Sequence, residues 1–108
     1  AYDEAHAEIF RRALAHLDHV TEKKMFGGLC FLLRGNMICG VHQDGGMARV
    51  GKKHEAAALK LQGVDPLSFT GRRMGGMVEI NEAALKEEET LDTVLQLAKD
   101  FVGGLPTK

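Results

Sequence analysis

Apolar side chains recur at intervals of three and four near the start of the chain. Phe10, Ala13, Leu14 and Leu17 share one stripe with Ile9 beside it, while Arg11, Arg12, His16 and Asp18 fall elsewhere. The spacing predicts an amphipathic helix over Asp3 to Leu17. From Lys23 the pattern changes. Lys23 to Arg34, rich in Phe, Leu and Cys, and Met37 to His42 flank Gly35-Asn36. A two-residue loop that opens on glycine supplies the positive φ of a type II′ turn, so these runs read as two antiparallel strands. Gln43-Asp44-Gly45-Gly46 signals another turn, and Met47 to Val50 a third strand bounded by Gly51.

Lys52 to Gln62 is dense in alanine and leucine and stops at Gly63, as a helix would. Leu67 to Thr70 and Met74 to Ile80 read as two more strands around Gly71-Arg72-Arg73; Gly75-Gly76 inside the second predicts a bulge or a close backbone contact. Asn81 suits the N-cap of a short turn, Glu82 to Leu85. The cleanest helical stripe is the last: Leu91, Val94, Leu95, Ala98, Phe101 and Val102, closed by Gly103-Gly104. The order α-β-β-β-α-β-β-α predicts an α+β fold of two layers, a five-stranded antiparallel sheet with helices packed on it. At 108 residues the chain suits one domain over 1–108, with no repeat or linker to divide it.

Alternation along the hairpin raises a question of cover. With Gly35-Asn36 as the loop, one face presents Leu29, Phe31, Leu33, Ile38 and His42, and the other Cys30, Leu32, Met37, Cys39 and Val41. Both faces are apolar, whereas a sheet covered by helices on one side normally shows polar residues on the other. The expectation is that the second set, Cys30, Leu32, Met37, Cys39 and Val41, meets a second copy or a protein partner. Two alternatives stand beside it: the last helix crosses to that face, or the hairpin is simply central in a small core.

Composition narrows the classes. Hydrophobic residues at 44% and charged residues at 27% are those of an ordinary globular domain, which excludes collagen-like and disordered readings. The longest apolar run, Leu29 to Leu33, is far too short to span a membrane. Acids in Ala1-Tyr2-Asp3-Glu4, where a signal peptide carries basic and apolar segments, point to a cytoplasmic location. The net charge is −1, yet residues 1–22 carry −3, residues 23–73 carry +6 and residues 74–108 carry −4. The central excess lies at element ends: Lys23, Lys24, Arg49, Lys52, Lys53, Arg72 and Arg73. Connecting loops that gathered them would offer a site for phosphate, nucleic-acid backbone or an acidic protein surface, against the plainer reading of scattered solvated charge. Phe26 and Phe69 are the only aromatics near them, and both sit in apolar contexts, so a stacking platform for single strands is missing.

Catalytic and metal signatures are weak. Cys30 and Cys39 lack the paired spacing of a zinc site and read as small buried hydrophobes in the reduced state. His16 and His19 with Asp18 supply too few ligands for a metal site, His42 reads as a satisfied edge residue and His54 as a solvated one. No nucleophile elbow or phosphate-binding Gly-Lys-Ser/Thr loop is present. The expectation is a non-enzyme with no cofactor and no metal.

Two segments stand out: Lys23-Lys24-Met25-Phe26-Gly27-Gly28 entering a strand and Gly71-Arg72-Arg73-Met74-Gly75-Gly76 before another. Together with the hairpin and Met47-Ala48-Arg49-Val50 they resemble the signatures of the TfoX/Sxy N-terminal domain, over roughly residues 5 to 104. The resemblance implies an α+β domain with a five-stranded antiparallel sheet and a role in the regulation of natural competence. Longer, two-domain members of that family are viewed as transcriptional coactivators working with the cyclic-AMP receptor protein. This sequence departs from them in having no second helical domain after its last helix, and no tyrosine and following proline near the strand Gly76 to Ile80. Within the motif, Met25, Phe26, Gly27, Gly28, Gly75 and Gly76 are expected to serve core packing and backbone geometry. The functional expectation is a regulatory module acting through protein contacts, with direct nucleic-acid or anion binding by the basic loops as the alternative.

Overall fold

The computed structural model describes residues 2–25, 27–69 and 72–108. Asp3 caps the first helix, α1 (Glu4–Ala13), by accepting a 2.8 Å hydrogen bond from the Ala5 amide. Four strands follow, β1 (Val20–Met25), β2 (Gly28–Leu33), β3 (Asn36–His42) and β4 (Gly45–Arg49), then α2 (Lys52–Leu59). The hairpin of β5 (Val64–Phe69) and β6 (Arg72–Asn81) leads into the short α3 (Glu82–Leu85) and the long α4 (Glu88–Val102). The strands form one antiparallel sheet in the order β1-β2-β3-β4-β6-β5.

The sheet thus has six strands where five were expected. The run from Lys23 to Arg34 is two strands, folded back at Gly27, whose φ of +75 suits glycine. The added strand, β1, is an edge strand. Thr21, Glu22, Lys23 and Lys24 are all exposed, so it carries no apolar alternation. It is tied to α1 instead by Arg11, whose guanidinium donates to both oxygens of Glu22 at 2.8 and 2.9 Å and also bonds Glu4 and Glu8. Hydrogen bonding from Arg11 lowers the Glu22 carboxyl pKa below its ordinary range. The share of stability from this tie is therefore present above that range and fades as pH falls.

The β2–β3 hairpin turns one residue earlier than its sequence suggests. Leu33 pairs with Asn36, so the loop is Arg34-Gly35, with φ of +50 and +83, the signs of a type I′ turn and not type II′. A bulge follows. Phe31 opposes Cys39 while Leu32 opposes Met37, leaving Ile38 as an extra residue on β3. That single insertion moves Cys39 and Val41 to the face carrying Leu29, Phe31 and Leu33.

Beneath the helices, Phe10, Leu14, Phe31, Ile38, Val41, Val78, Ile80, Leu95 and Val102 form the main core. Phe10 and Phe31 meet with ring centroids 5.9 Å apart. Phe26, expected beside Phe31 in that core, lies outside the described residues. The expected irregularity at Gly75-Gly76 is present: Pro66 pairs with Val78 but Ser68 with Arg73, so β6 carries extra residues across from Leu67. Gly76, at φ +81, turns its carbonyl to accept from the amides of Val50 and Gly51 at 2.9 and 3.0 Å.

Candidate functional site

Directly paired residues share a face of the sheet. The row Lys23, Cys30, Gly40, Met47 and Glu79 therefore lies on the side away from the helices. On that side Cys30, Met47, Leu67 and Met77 form a second, smaller core, with Met25 and Met37 packed half-buried against it. Methionine has three rotatable bonds and a polarisable sulfur, so it fills the irregular space of a curved sheet that branched side chains would leave open.

The predicted interface of Cys30, Leu32, Met37, Cys39 and Val41 is corrected accordingly. Cys39 and Val41 are fully buried beneath the helices, because the bulge at Ile38 reverses the alternation. Cys30 stays on the second face but is also fully buried, covered within the chain itself. Leu32 and Met37, opposite each other across β2 and β3, remain half-buried.

The two cysteines lie on opposite faces and are unbonded to each other. Burial raises the pKa of both thiols, that of Cys39 well above its ordinary value of 9.0. Neither is a thiolate nucleophile near neutral pH. In the native protein neither should react with Ellman's reagent at pH 8 over minutes, while both should react after unfolding; fast native labelling would contradict this placement. Folding favours the neutral thiol, so stability is complete below pH 9.0 and declines as pH rises beyond it. Melting curves from pH 8 to 10.5 should show that decline, and Cys39→Ala should lessen it.

The basic residues divide between two parts of the sheet. Lys24 stands in one row with Leu29, Val41 and Gly46, while Arg49 is three residues further along β4. At about 3.3 Å per residue and about 4.8 Å per strand, that separates them by roughly 10 Å along the strands and 14 Å across them. Lys23 and Lys24 are exposed on opposite faces of β1. Arg49 places its guanidinium 5.4 Å from the centre of the Phe101 ring. Lys52 and Lys53 open α2, and the stem of Lys52 lies over Gly75, where an added Cβ would come within 2.9 Å of its Cε. Arg72 and Arg73 begin β6, and their side chains lie outside what the structure describes. The fold thus gathers Arg49 and Lys52 beside the irregular part of β6 and leaves Lys23 and Lys24 apart.

One arrangement has only a faint sequence signal, the Asp-x-x-His spacing at the start of α1. His6 is 3% exposed, with Nε2 3.0 Å from Glu82 Oε2 and 3.9 Å from Asp3 Oδ2. The three ligand atoms lie within 4.8 Å of one another, compact enough for a cation. However, His6 Nδ1 is buried without a hydrogen-bond partner, whereas a metal-bound histidine normally donates its second N–H to an acceptor. The group reads as a staple joining α1 to α3. His42, expected as a satisfied edge residue, ends the interior strand β3: its Nδ1 accepts from the Asp44 amide, but its Nε2, 3.4 Å from Glu79, is buried without a hydrogen bond, whereas His54 faces Asp100 at 3.7 Å.

This geometry defines a small α+β domain with helices on one face of an antiparallel sheet and a methionine-lined core on the other. The sequence profile of the TfoX N-terminal domain matches residues 12–102. The chain belongs to that family. No curated protein and no solved structure matched it.

Proposed function

We propose that the chain is a non-enzymatic regulatory module of the TfoX N-terminal type, acting on transcription through protein contacts. The contact surface in this reading is the open rim of the second face at Leu32 and Met37. The observation that carries it is the half-exposed apolar pair Leu32 and Met37, next to adaptable methionine side chains of the kind that suit protein recognition. Burial of both thiols in their neutral form supports the non-catalytic part. The rim is narrower than the sequence suggested, which fits a transient contact better than an obligate homodimer.

Light scattering and affinity capture from an extract of the source cells test this, with Leu32→Glu as the comparison. The parent should hold a partner, or pair with itself, and Leu32→Glu should lose at least about tenfold in retention, the effect of about 1.4 kcal/mol. Equal capture by both proteins, with both monomeric, would remove the reading.

A second reading has one observation in its favour, the gathering of Arg49 and Lys52 at one end of the sheet. Binding of nucleic acid there would weaken steeply with salt, unlike an apolar contact. Filter binding at low and moderate salt separates the two, and no retention at low salt ends the second.

A further inference from the structure

We infer that the chain carries a binding cleft for a small phosphorylated molecule, built from His16, His19, Arg34 and Lys99. This site is separate from the second face and from the loops around Arg49. The cleft has a volume of about 550 Å³ and lies where the segment after α1, the β2–β3 turn and the last turns of α4 meet. Leu17 and Leu33 give it apolar wall, and the four nitrogen-bearing side chains line it together with Asp18.

Three observations point to a ligand. Among the described residues, His19 and Arg34 are the non-glycine residues with positive φ, at +65 and +50, and both line this cleft; the type I′ turn accounts for Arg34, while His19 lies outside any hairpin loop. Left-handed backbone is costly for ordinary side chains and persists where the surroundings enforce it, often at ligand clamps. Here the enforcement is visible: the Arg34 amide donates to the His19 carbonyl at 3.0 Å, and the Lys108 amide donates to the Arg34 carbonyl at 3.0 Å. Asn36 anchors the same tail by donating from Nδ2 to the Pro106 carbonyl at 2.8 Å.

The second observation is unspent charge. The ion pairs of the described residues engage Arg11, Arg12 and the histidines 6, 42 and 54; Arg34 and Lys99 take part in none. Two permanent cations thus share one concave site in a chain whose net charge is −1. The third is the contact of Lys99 Nζ with His16 Nε2 at 3.1 Å. An ammonium only donates, so His16 Nε2 accepts in this contact, which holds Lys99 against the cleft wall.

These donors suit an oxyanion with several acceptors, the planar fork of arginine and the point charge of lysine both being common phosphate binders. The volume exceeds a phosphate group, which leaves the apolar wall for the rest of an ester. Asp18 and the carboxyl-terminal ends of α1 and α4 oppose an anion, so affinity for bare phosphate is expected on the order of millimolar.

The test is an NMR titration of amide signals with inorganic phosphate and with glycerol phosphate, at constant ionic strength set by sodium chloride. Saturable shifts should centre on residues 16–19 and 34, with glycerol phosphate binding at least as tightly as phosphate. Lys99→Gln and Arg34→Gln should each weaken binding about tenfold, Asp18→Asn should tighten it a few-fold, and Lys52→Gln should leave it unchanged. Melting curves check that each variant is folded. No saturable response, or a Lys99→Gln protein that binds like the parent, overturns the proposal; loss on Lys52→Gln alone would assign any binding to the other basic cluster.

Discussion

Replacing Phe31 by alanine should lower the unfolding free energy by about 3–5 kcal/mol, the range for removing a fully buried aromatic ring. Phe31 is 1% exposed, sits midway along β2 and packs its ring on Phe10 from α1. Its removal opens a cavity between helix and sheet that neighbours held by the strand ladder cannot collapse to fill. Domains of this size are stable by about 5–15 kcal/mol in total, so the variant should melt roughly 15 °C or more below the parent. Urea denaturation with an unchanged slope measures the difference. A change under about 1 kcal/mol would show that the ring is not in the core.

The second large effect belongs to Gly28→Ala. A Cβ at Gly28 would stand 2.0 Å from the Val41 carbonyl oxygen, an atom fixed in the β2–β3 ladder. Backbone cannot rotate aside as a flexible side chain can, so the strands must separate there, at a cost of about 3 kcal/mol. The neighbouring Gly27→Ala is the control. A Cβ at Gly27 meets nothing within 4 Å, and only its φ of +75 opposes the substitution, by about 1–2 kcal/mol. Two adjacent glycines of one motif are thus expected to respond by different mechanisms. Equal losses in the two variants would contradict the close approach of β2 to β3.

Several elements were legible from side-chain spacing. The stripe of α4 buries Leu91, Val94, Leu95, Ala98 and Val102 as the three-four spacing requires, and Asn81 caps α3 by accepting from the Ala84 amide at 2.8 Å. The irregularity of β6 followed from Gly75-Gly76. Other features left no trace in the pattern. Strand β1 is exposed at both faces through its middle, so Thr21 to Lys24 show no alternation to read. The bulge at Ile38 lies in a run where every neighbour is apolar, and an inserted residue there changes no polarity. The second face was expected to need an outside cover because alternation reveals which residues share a face, not how a curved sheet closes over them.

Side-chain polarity and chain geometry, which act over a few residues, determined the α+β class, the hairpin, most of the helices and the burial of the thiols. Tertiary structure alone decided the sixth strand, the transfer of Cys39 and Val41 beneath the helices, the meeting of His6 with Glu82, and the cleft joining His16 to Lys99 and Arg34. Those contacts join residues far apart along the chain. Whether such groups meet depends on strand register and the curvature of the sheet, and these are set by the packing of the whole domain.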